Sequence, residues 1–384
     1  MRVGIDLTAL LPEATGVDTY LLKLVEGLAA IDRRNRYVVF VNREDRERLP
    51  TLPDSFEVVR TAVRNRAVRL GWQQAGLPII ATVRGLDVIH SPSFIVPLAY
   101  RQARHVLTIH DLTSFSHPEW HVPLRRSWFY RSAVMASIRL AARICVPTQA
   151  VRDELVRSIF DPPTDRIRVI PHGVSSEFHP KAAIDAPAAQ RRLRLPSSYI
   201  LFVGTLEPRK NLELLLETYR RLTVAGAIHE DLVLAGRRGW DCEQVLALCR
   251  TPELRDYVHP LGYVDQTALP ALYAGARVFV YPSLAEGFGL PPLEAMACGV
   301  PVAASSTPAL AENFGGAAEL VPADSAEALG QAVVRLARDD RLRDRRRREG
   351  LAKAKRFRWE QTARATLACY EELTGDDSRF AGNA

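Results

Sequence analysis

Val278-Phe-Val-Tyr-Pro-Ser-Leu-Ala-Glu286-Gly-Phe-Gly-Leu-Pro-Pro-Leu-Glu294 reads as a strand, a loop and the opening of a helix. The four residues from Val278 form a short apolar run of the kind a buried strand needs. Pro291 and Pro292 suit the start of a helix, where a missing N–H costs nothing. Gly299 and Pro301 stop that helix after about two turns. The expected arrangement places Glu286 on the loop at the strand end and Glu294 in the first helical turn. Between them, the backbone N–H groups of Phe288, Gly289 and Leu290 would face an anion. The segment reads as a pocket for a ligand bearing both hydroxyls and phosphate.

Outward from that segment, strand-like runs alternate with amphipathic helices across the chain. Strands are expected near 2–6, 37–41, 56–59, 87–90, 105–109, 143–147 and 166–170, then near 199–203, 232–235, 257–261, 277–281, 301–304 and 318–321. Helices fall between them, for example Val17 to Ala30, Trp128 to Ala142, Asn211 to Thr223 and Ala326 to Ala337. Strands separated by helices predict parallel sheets covered on both faces. Two such series predict an α/β protein of two Rossmann-like domains. Pro171-His-Gly-Val-Ser-Ser-Glu-Phe-His-Pro180 is rich in turn formers and divides them, so the expected domains are 1–175 and 176–358. Residues 181–198 read as a polar, Ala-rich lead-in. A last helix near Trp359 to Leu373 follows the final strand, and the basic run Arg341 to Arg348 reads as an exposed helix face.

The 384 residues suffice for two domains with full cores, and 47% apolar with 25% charged residues is an ordinary globular composition. No run reaches the ~18 apolar residues of a membrane span. The start, Arg2-Val-Gly-Ile-Asp6, reads as a strand and not as a signal peptide. Five widely spaced cysteines (145, 242, 249, 298 and 369) suggest reduced thiols in a cytoplasm, without zinc-ligand spacing. The whole net charge of +7 falls in residues 1–175, since the remainder is balanced. No acid occurs between Glu57 and Asp87, a stretch holding Arg60, Arg64, Arg66, Arg69 and Trp72. If helical, it would present a basic and apolar face to an anionic membrane surface; a solvated arginine face is the alternative. No nucleic-acid-binding signature accompanies the charge.

Ligands of open parallel sheets bind at the carboxyl ends of strands. Besides the Glu286–Glu294 segment, three loops at such ends stand out. Thr15-Gly16 follows the first strand, and a glycine there permits close backbone approach. His110-Asp111 follows Val106-Leu-Thr-Ile109; a histidine there can bond a sugar hydroxyl or a backbone carbonyl. Gly204-Thr-Leu-Glu-Pro-Arg-Lys-Asn211 follows Tyr199-Ile-Leu-Phe-Val203 and puts Arg209 and Lys210, on an exposed loop, at a helix N-terminus. Cations there oppose the helix dipole, which makes sense if an anion completes the site. The chain has no G-x-G-x-x-G after a first strand, no G-x-x-x-x-G-K-[ST], no Asp-x-Asp and no G-x-S-x-G. These absences disfavour a nicotinamide or flavin enzyme, a P-loop NTPase, a metal-bridged diphosphate site and a serine hydrolase.

Taken together, Val203–Asn211, Leu232-Val-Leu-Ala-Gly-Arg-Arg-Gly-Trp240, Leu261-Gly-Tyr-Val264 and Pro282–Pro301 resemble the family 4 glycosyltransferases, retaining enzymes of GT-B fold. The resemblance spans essentially the whole chain and is similar to the bacterial mannosyltransferase-like branch that builds cell-surface polysaccharides. It implies two Rossmann-like domains whose parallel sheets face each other across a cleft, an acceptor domain at 1–175 joined by helix 359–384, and a nucleotide-sugar donor domain at 176–358. It also implies that Glu286 contacts hydroxyls of the transferred sugar and Glu294 the nucleotide ribose. The amides after Gly287 (Phe288, Gly289, Leu290) hold sugar and phosphate, and Arg209 and Lys210 clamp the diphosphate. His110 reaches the donor sugar, Gly16 approaches the phosphates, and Gly262-Tyr263-Val264 presents backbone to the base. Many relatives carry a basic residue after the glycine matching Gly204; here it is Thr205, which leaves the clamp to Arg209 and Lys210. The implied activity is metal-independent, cofactor-free transfer of a hexose, above all mannose from GDP-mannose, to a glycan or lipid-linked acceptor. The enzyme would be cytoplasmic and peripheral on the inner face of the membrane. A nucleotide-sugar epimerase or hydrolase of the same fold, or a non-catalytic partner subunit, are the alternatives.

Overall fold

The computed structural model describes residues 1–121, 127–158 and 163–374. These fall into two compact units, one within Met1–Glu119, Pro123–Gly173 and Trp359–Ala384, the other within Trp120–Val122 and Val174–Arg358.

The first unit holds strands β1 (Arg2–Asp6), β2 (Arg36–Asn42), β3 (Phe56–Thr61), β4 (Val88–Ser91), β5 (Arg104–Thr108), β6 (Arg143–Val146) and β7 (Ile167–Val169). They form one sheet in the order β3-β2-β1-β4-β5-β6-β7, with every pairing parallel. Central strands are covered on both faces and therefore read as continuous apolar runs, such as Tyr37-Val-Val-Phe-Val41, buried throughout. The helix Gly16–Ile31 opens on a capping box, in which Asp18 accepts the Thr15 backbone N–H at 2.7 Å, and it buries Leu21, Leu24, Val25 and Leu28. The last helix, Trp359–Thr374, packs along it. A methyl on Gly27 would lie 2.7 Å from the Ala363 Cβ, so the helices meet with a hydrogen at that point. Tyr370 of the same helix bonds His90 Nδ1 on β4 at 2.6 Å, and Glu372 pairs with Arg143 and Arg168 at 2.8 Å each.

The second unit holds β8 (Tyr199–Val203), β9 (Asp231–Ala235), β10 (Val258–Gly262), β11 (Val278–Tyr281), β12 (Val302–Ser305) and β13 (Glu319–Val321). Their order is β10-β9-β8-β11-β12-β13, again all parallel. Strand order reverses between β8 and β11, which are nevertheless hydrogen-bonded neighbours. A ligand site is expected outside the carboxyl ends of such a pair.

Two local expectations need correction. Residues 181–198 are more than a lead-in: a one-turn helix at Pro180–Ile184 runs into the helix Ala186–Leu193, whose Ala186 and Ala189 are buried. The acid-free stretch is no continuous helix. Arg60 lies on β3, and the helix Arg66–Gln74 begins only at the Asn65 cap, which accepts the N–H groups of Ala67 and Val68. A second helix, Gly76–Arg84, follows at once. The single basic and apolar helical face expected across this stretch therefore does not form.

Candidate active site

In the second unit, β8 ends at Val203 and β11 at Tyr281, so their following loops emerge side by side. The loop after β8 turns through the one-turn helix Pro208–Lys210, and Asn211 (φ 57°) breaks direction before the helix Leu212–Val224. Asn211 tolerates the left-handed conformation because its side chain reaches backbone, here the Ala323 carbonyl at 2.8 Å. The loop after β11 carries Glu286 and ends at Gly289 (φ 93°), which caps the helix Leu290–Ala297. A methyl on Gly289 would meet Leu310 Cδ2 at 2.6 Å, so this corner needs glycine for conformation and for space.

The two loops are joined by a buried ionic cluster. Arg209 Nη1 lies 3.0 Å from Glu286 Oε2, and Lys210 Nζ 2.5 Å from Glu286 Oε1. Lys210 also donates to the Tyr281 hydroxyl at 2.8 Å, while Arg209 donates to the Ala285 carbonyl at 2.9 Å and pairs with Glu207 at 2.9 Å. The side chains of Lys210 and Glu286 are only 7% and 8% exposed. Burial alone would raise the Glu286 carboxyl, but Arg209 and Lys210 outweigh it and hold the group down at about 2. The expectation that both cations lie on an exposed loop is therefore overturned: each reaches inward to a carboxylate. The anion that completes the helix-terminal cations is, in the first place, Glu286.

Glu294 belongs to a different environment. It is the fifth residue of its helix, one position beyond the first turn expected for it, because the helix opens at Leu290. Its Oε2 accepts the Tyr273 hydroxyl at 2.8 Å. Burial raises its carboxyl to about 7, against the pull of that hydrogen bond and with a further push from Glu177. Two carboxylates eight positions apart are thus held in opposite protonation regimes, one by two cations and one by desolvation. Of the backbone groups between them, Pro291 and Pro292 offer no N–H and Leu293 N–H bonds Gly289, which leaves Leu290 as the donor at the helix start. Phe288 is buried and its carbonyl accepts Asn313 Nδ2 at 2.8 Å.

Gly204 and Thr205 begin the β8 loop, and Gly204 N–H bonds the Ala235 carbonyl at 2.9 Å. Two strands over, beyond β9, the loop after β10 leaves at Gly262, with Tyr263 37% exposed and Val264 buried. Sequence reading missed Glu207, Tyr281 and Tyr273, the groups that orient Arg209, Lys210 and Glu294. Glu207 sits inside the quoted loop and Tyr281 closes the quoted strand, but neither position reveals which way its side chain turns.

His110 and Gly16 belong to the first unit. His110 is buried, with Nε2 3.1 Å from the Pro92 carbonyl and its ring edge-on to Tyr20 at 4.9 Å. Gly16 is exposed as the first residue of its helix. The five residues read as membrane-facing do not share one face. Arg64 pairs with Asp45 at 2.9 Å, and the Arg66 guanidinium lies 5.9 Å over the Tyr130 ring. Trp72 packs edge-on to Phe40 at 5.6 Å, beside the buried Leu77 and Ala81. Arg69 lies on the same helix as Arg66, and Arg60 is exposed on its strand.

Two all-parallel sheets, with this cluster at the strand reversal of the second, match the GT-B fold, and the comparisons place the chain among glycosyltransferases. Residues 14–178 match the model of Glycosyltransferase Family 4, and residues 197–339 that of Glycosyl transferases group 1. The chain is 32% identical over 374 residues to O-antigen chain mannosyltransferase B of Escherichia coli, covering 94% of this chain and 96% of that protein. Among solved structures, sucrose-phosphate synthase from Thermosynechococcus elongatus superimposes with a TM-score of 0.80 at 22% identity, over 98% of this chain and 99% of that one. Anabaena HepE in complex with UDP and glucose gives 0.75 at 17% identity, over 97% and 100%. The chain belongs to glycosyltransferase family 4.

Proposed function

We propose that this glycosyltransferase is a metal-independent, retaining hexosyltransferase that moves mannose from GDP-mannose onto a glycan or lipid-linked acceptor of a cell-surface polysaccharide. The observation that carries the site is the buried Arg209–Lys210–Glu286 cluster at the carboxyl ends of the neighbouring strands β8 and β11. The choice of mannose is supported by the E. coli relative, an O-antigen chain mannosyltransferase.

In this reading the acceptor hydroxyl oxygen bonds the anomeric carbon, and the bond from that carbon to the diphosphate oxygen breaks. The electron pair leaves with the nucleoside diphosphate, and the hydroxyl proton passes to the departing phosphate oxygen. Attack from the side on which the diphosphate departs retains configuration. Arg209 and Lys210 meet the charge developing on the leaving group, a role fixed cations fill without a metal. Glu286 orients them and bonds sugar hydroxyls, the Gly287–Leu290 backbone holds sugar and phosphate, Glu294 bonds the ribose, and the loop Gly262–Val264 takes the base. Contact of His110 with the donor sugar and of Gly16 with the phosphates, from the first unit, completes the proposal. Among the described residues no helix is long and apolar enough to cross a membrane. Peripheral attachment to an anionic surface is better served by Trp128 and Phe129, 81% and 67% exposed, than by the packed Trp72.

Incubation with a panel of nucleotide sugars, with EDTA and with or without a mannose-terminated acceptor, tests the reading. Acceptor-dependent release of GDP from GDP-mannose, with an α-linked product, is expected. Acceptor-independent turnover would favour an epimerase or hydrolase, and activity abolished by EDTA and restored by magnesium would overturn metal independence.

A further inference from the structure

The basic run Arg341–Arg348 is more than an exposed face, because part of it lines a cavity. The helix Asp340–Ala354 runs beside the helix Ala326–Arg338 and the start of β13, and a cavity of about 590 Å³ opens between them. Five arginines line it (335, 341, 345, 346 and 348) against two acids, Glu319 and Asp339.

Most of the local ion pairs lie on the floor. Glu319 is held by Arg335 and Arg346, both at 2.7 Å, and Arg346 also takes Glu349 at 2.8 Å. Asp339 caps the arginine helix by accepting Leu342 N–H at 3.0 Å. Arg341, Arg345 and Arg348 are exposed, and their side chains make no hydrogen bond or ion pair with any described residue. Their i, i+4, i+7 spacing puts them along one ridge about 10 Å long. Like charges at that spacing destabilise a helix, and Arg341, in the first turn, also opposes its dipole. A ridge of unspent guanidinium groups over a concave, net positive cavity is suited to phosphate oxygens, which guanidinium binds bidentately. A ridge of that length exceeds what one phosphate can engage.

We propose that this cavity is a second anion site, for a ligand carrying two or more linked phosphates, separate from the Arg209–Lys210–Glu286 cluster. Such a ligand could be a free oligophosphate or the diphosphate headgroup of a lipid; both present the same chemistry. The helix that bears the ridge packs its opposite side on the helix of Glu294, where a methyl on Gly350 would lie 3.1 Å from Met296 Cγ. Occupancy would therefore be felt by an element of the proposed donor site.

Calorimetric titration of the full-length protein with inorganic tripolyphosphate, at low and moderate salt, tests the site. It is run in a Lys210→Ala background to weaken any contribution from the donor cluster. Saturable, salt-sensitive binding is expected, weakened at least about tenfold when Arg341, Arg345 and Arg348 are all replaced by serine. Flotation with phosphatidylcholine vesicles carrying a polyprenyl diphosphate distinguishes the sources. Binding that needs the three arginines on such vesicles but not on plain ones assigns the lipid; binding of tripolyphosphate alone assigns the free anion. No saturable binding of either probe, or equal binding by the triple variant with an unchanged melting curve, overturns the proposal. Because the donor reading is tested by the loss of nucleotide binding in Lys210→Ala, and this site by the loss of binding when its three arginines are replaced, either can fail without the other.

Discussion

At the scale of single residues, the site depends on two glutamates with opposite electrostatics. Glu286 is ionised because Arg209 and Lys210 face it, so Glu286→Gln leaves two buried cations with one partner fewer. Breaking a buried ion pair in this way costs on the order of 3 kcal/mol. The variant should melt at lower temperature and lose at least about tenfold in turnover while binding nucleoside diphosphate no more weakly, since the freed cations gain an anion to hold. Weaker diphosphate binding with intact turnover would assign Glu286 elsewhere. For Glu294 the sign is reversed. Its folded-state value, about 7, lies above the ordinary 4.5, so the folded protein binds the proton more tightly than the unfolded chain. That stabilisation is complete below about pH 4.5 and is lost as pH rises through about 7, with a total on the order of 3 kcal/mol. Glu294→Gln cannot ionise and removes this dependence. Denaturation midpoints measured at pH 5 and pH 8 should fall more for the wild type than for the glutamine variant; parallel changes would contradict the burial of this carboxyl.

At the scale of elements, what the sequence states locally is what could be read from it. All thirteen strands lie within a residue or two of their expected limits, and the central ones are continuous apolar runs because both their faces are buried. The helix at Leu290 was legible from Pro291, Pro292 and Gly299, and the loop positions of Arg209, Lys210 and Glu286 from the strand ends before them. What periodicity cannot state is which side chain of a loop turns inward. Lys210 and Glu286 stand 76 residues apart and meet only because β8 and β11 are neighbours in the sheet. Trp72 misled for a related reason: its ring covers Gly76 and Phe40, partners that belong to another helix and another strand. The corner at Gly289 is the element on which the β11 loop turns. Gly289→Ala should cost ~2 kcal/mol or more, for a left-handed backbone and a clash with Leu310 and Phe314. Gly299→Ala (φ 77°) should cost only about half as much, because its nearest neighbour at 3.3 Å is the flexible end of Arg347. Equal losses in thermal denaturation would mean that the corner is not sterically closed.

At the scale of the whole molecule, chain order and spatial order differ most extensively at the last helix. The chain leaves the first unit at Gly173 and returns to it at Trp359, where the last helix lies along Gly16–Ile31 and is fixed by Tyr370 and Glu372. Each unit is then a complete parallel sheet with its own core, and the buried Arg209–Lys210–Glu286 cluster lies within the second unit. That unit should therefore recognise the nucleotide through the loops after β8 and β11, which makes direct binding the most economical test. Calorimetric titration of the wild-type protein and of Lys210→Ala with GDP and with UDP, without metal, measures it. The account predicts saturable binding of GDP, tighter than that of UDP, and weakened by about one to two decades in the variant through loss of a charged partner. Absence of saturable binding of either nucleotide, or equal binding by wild type and variant, would contradict it.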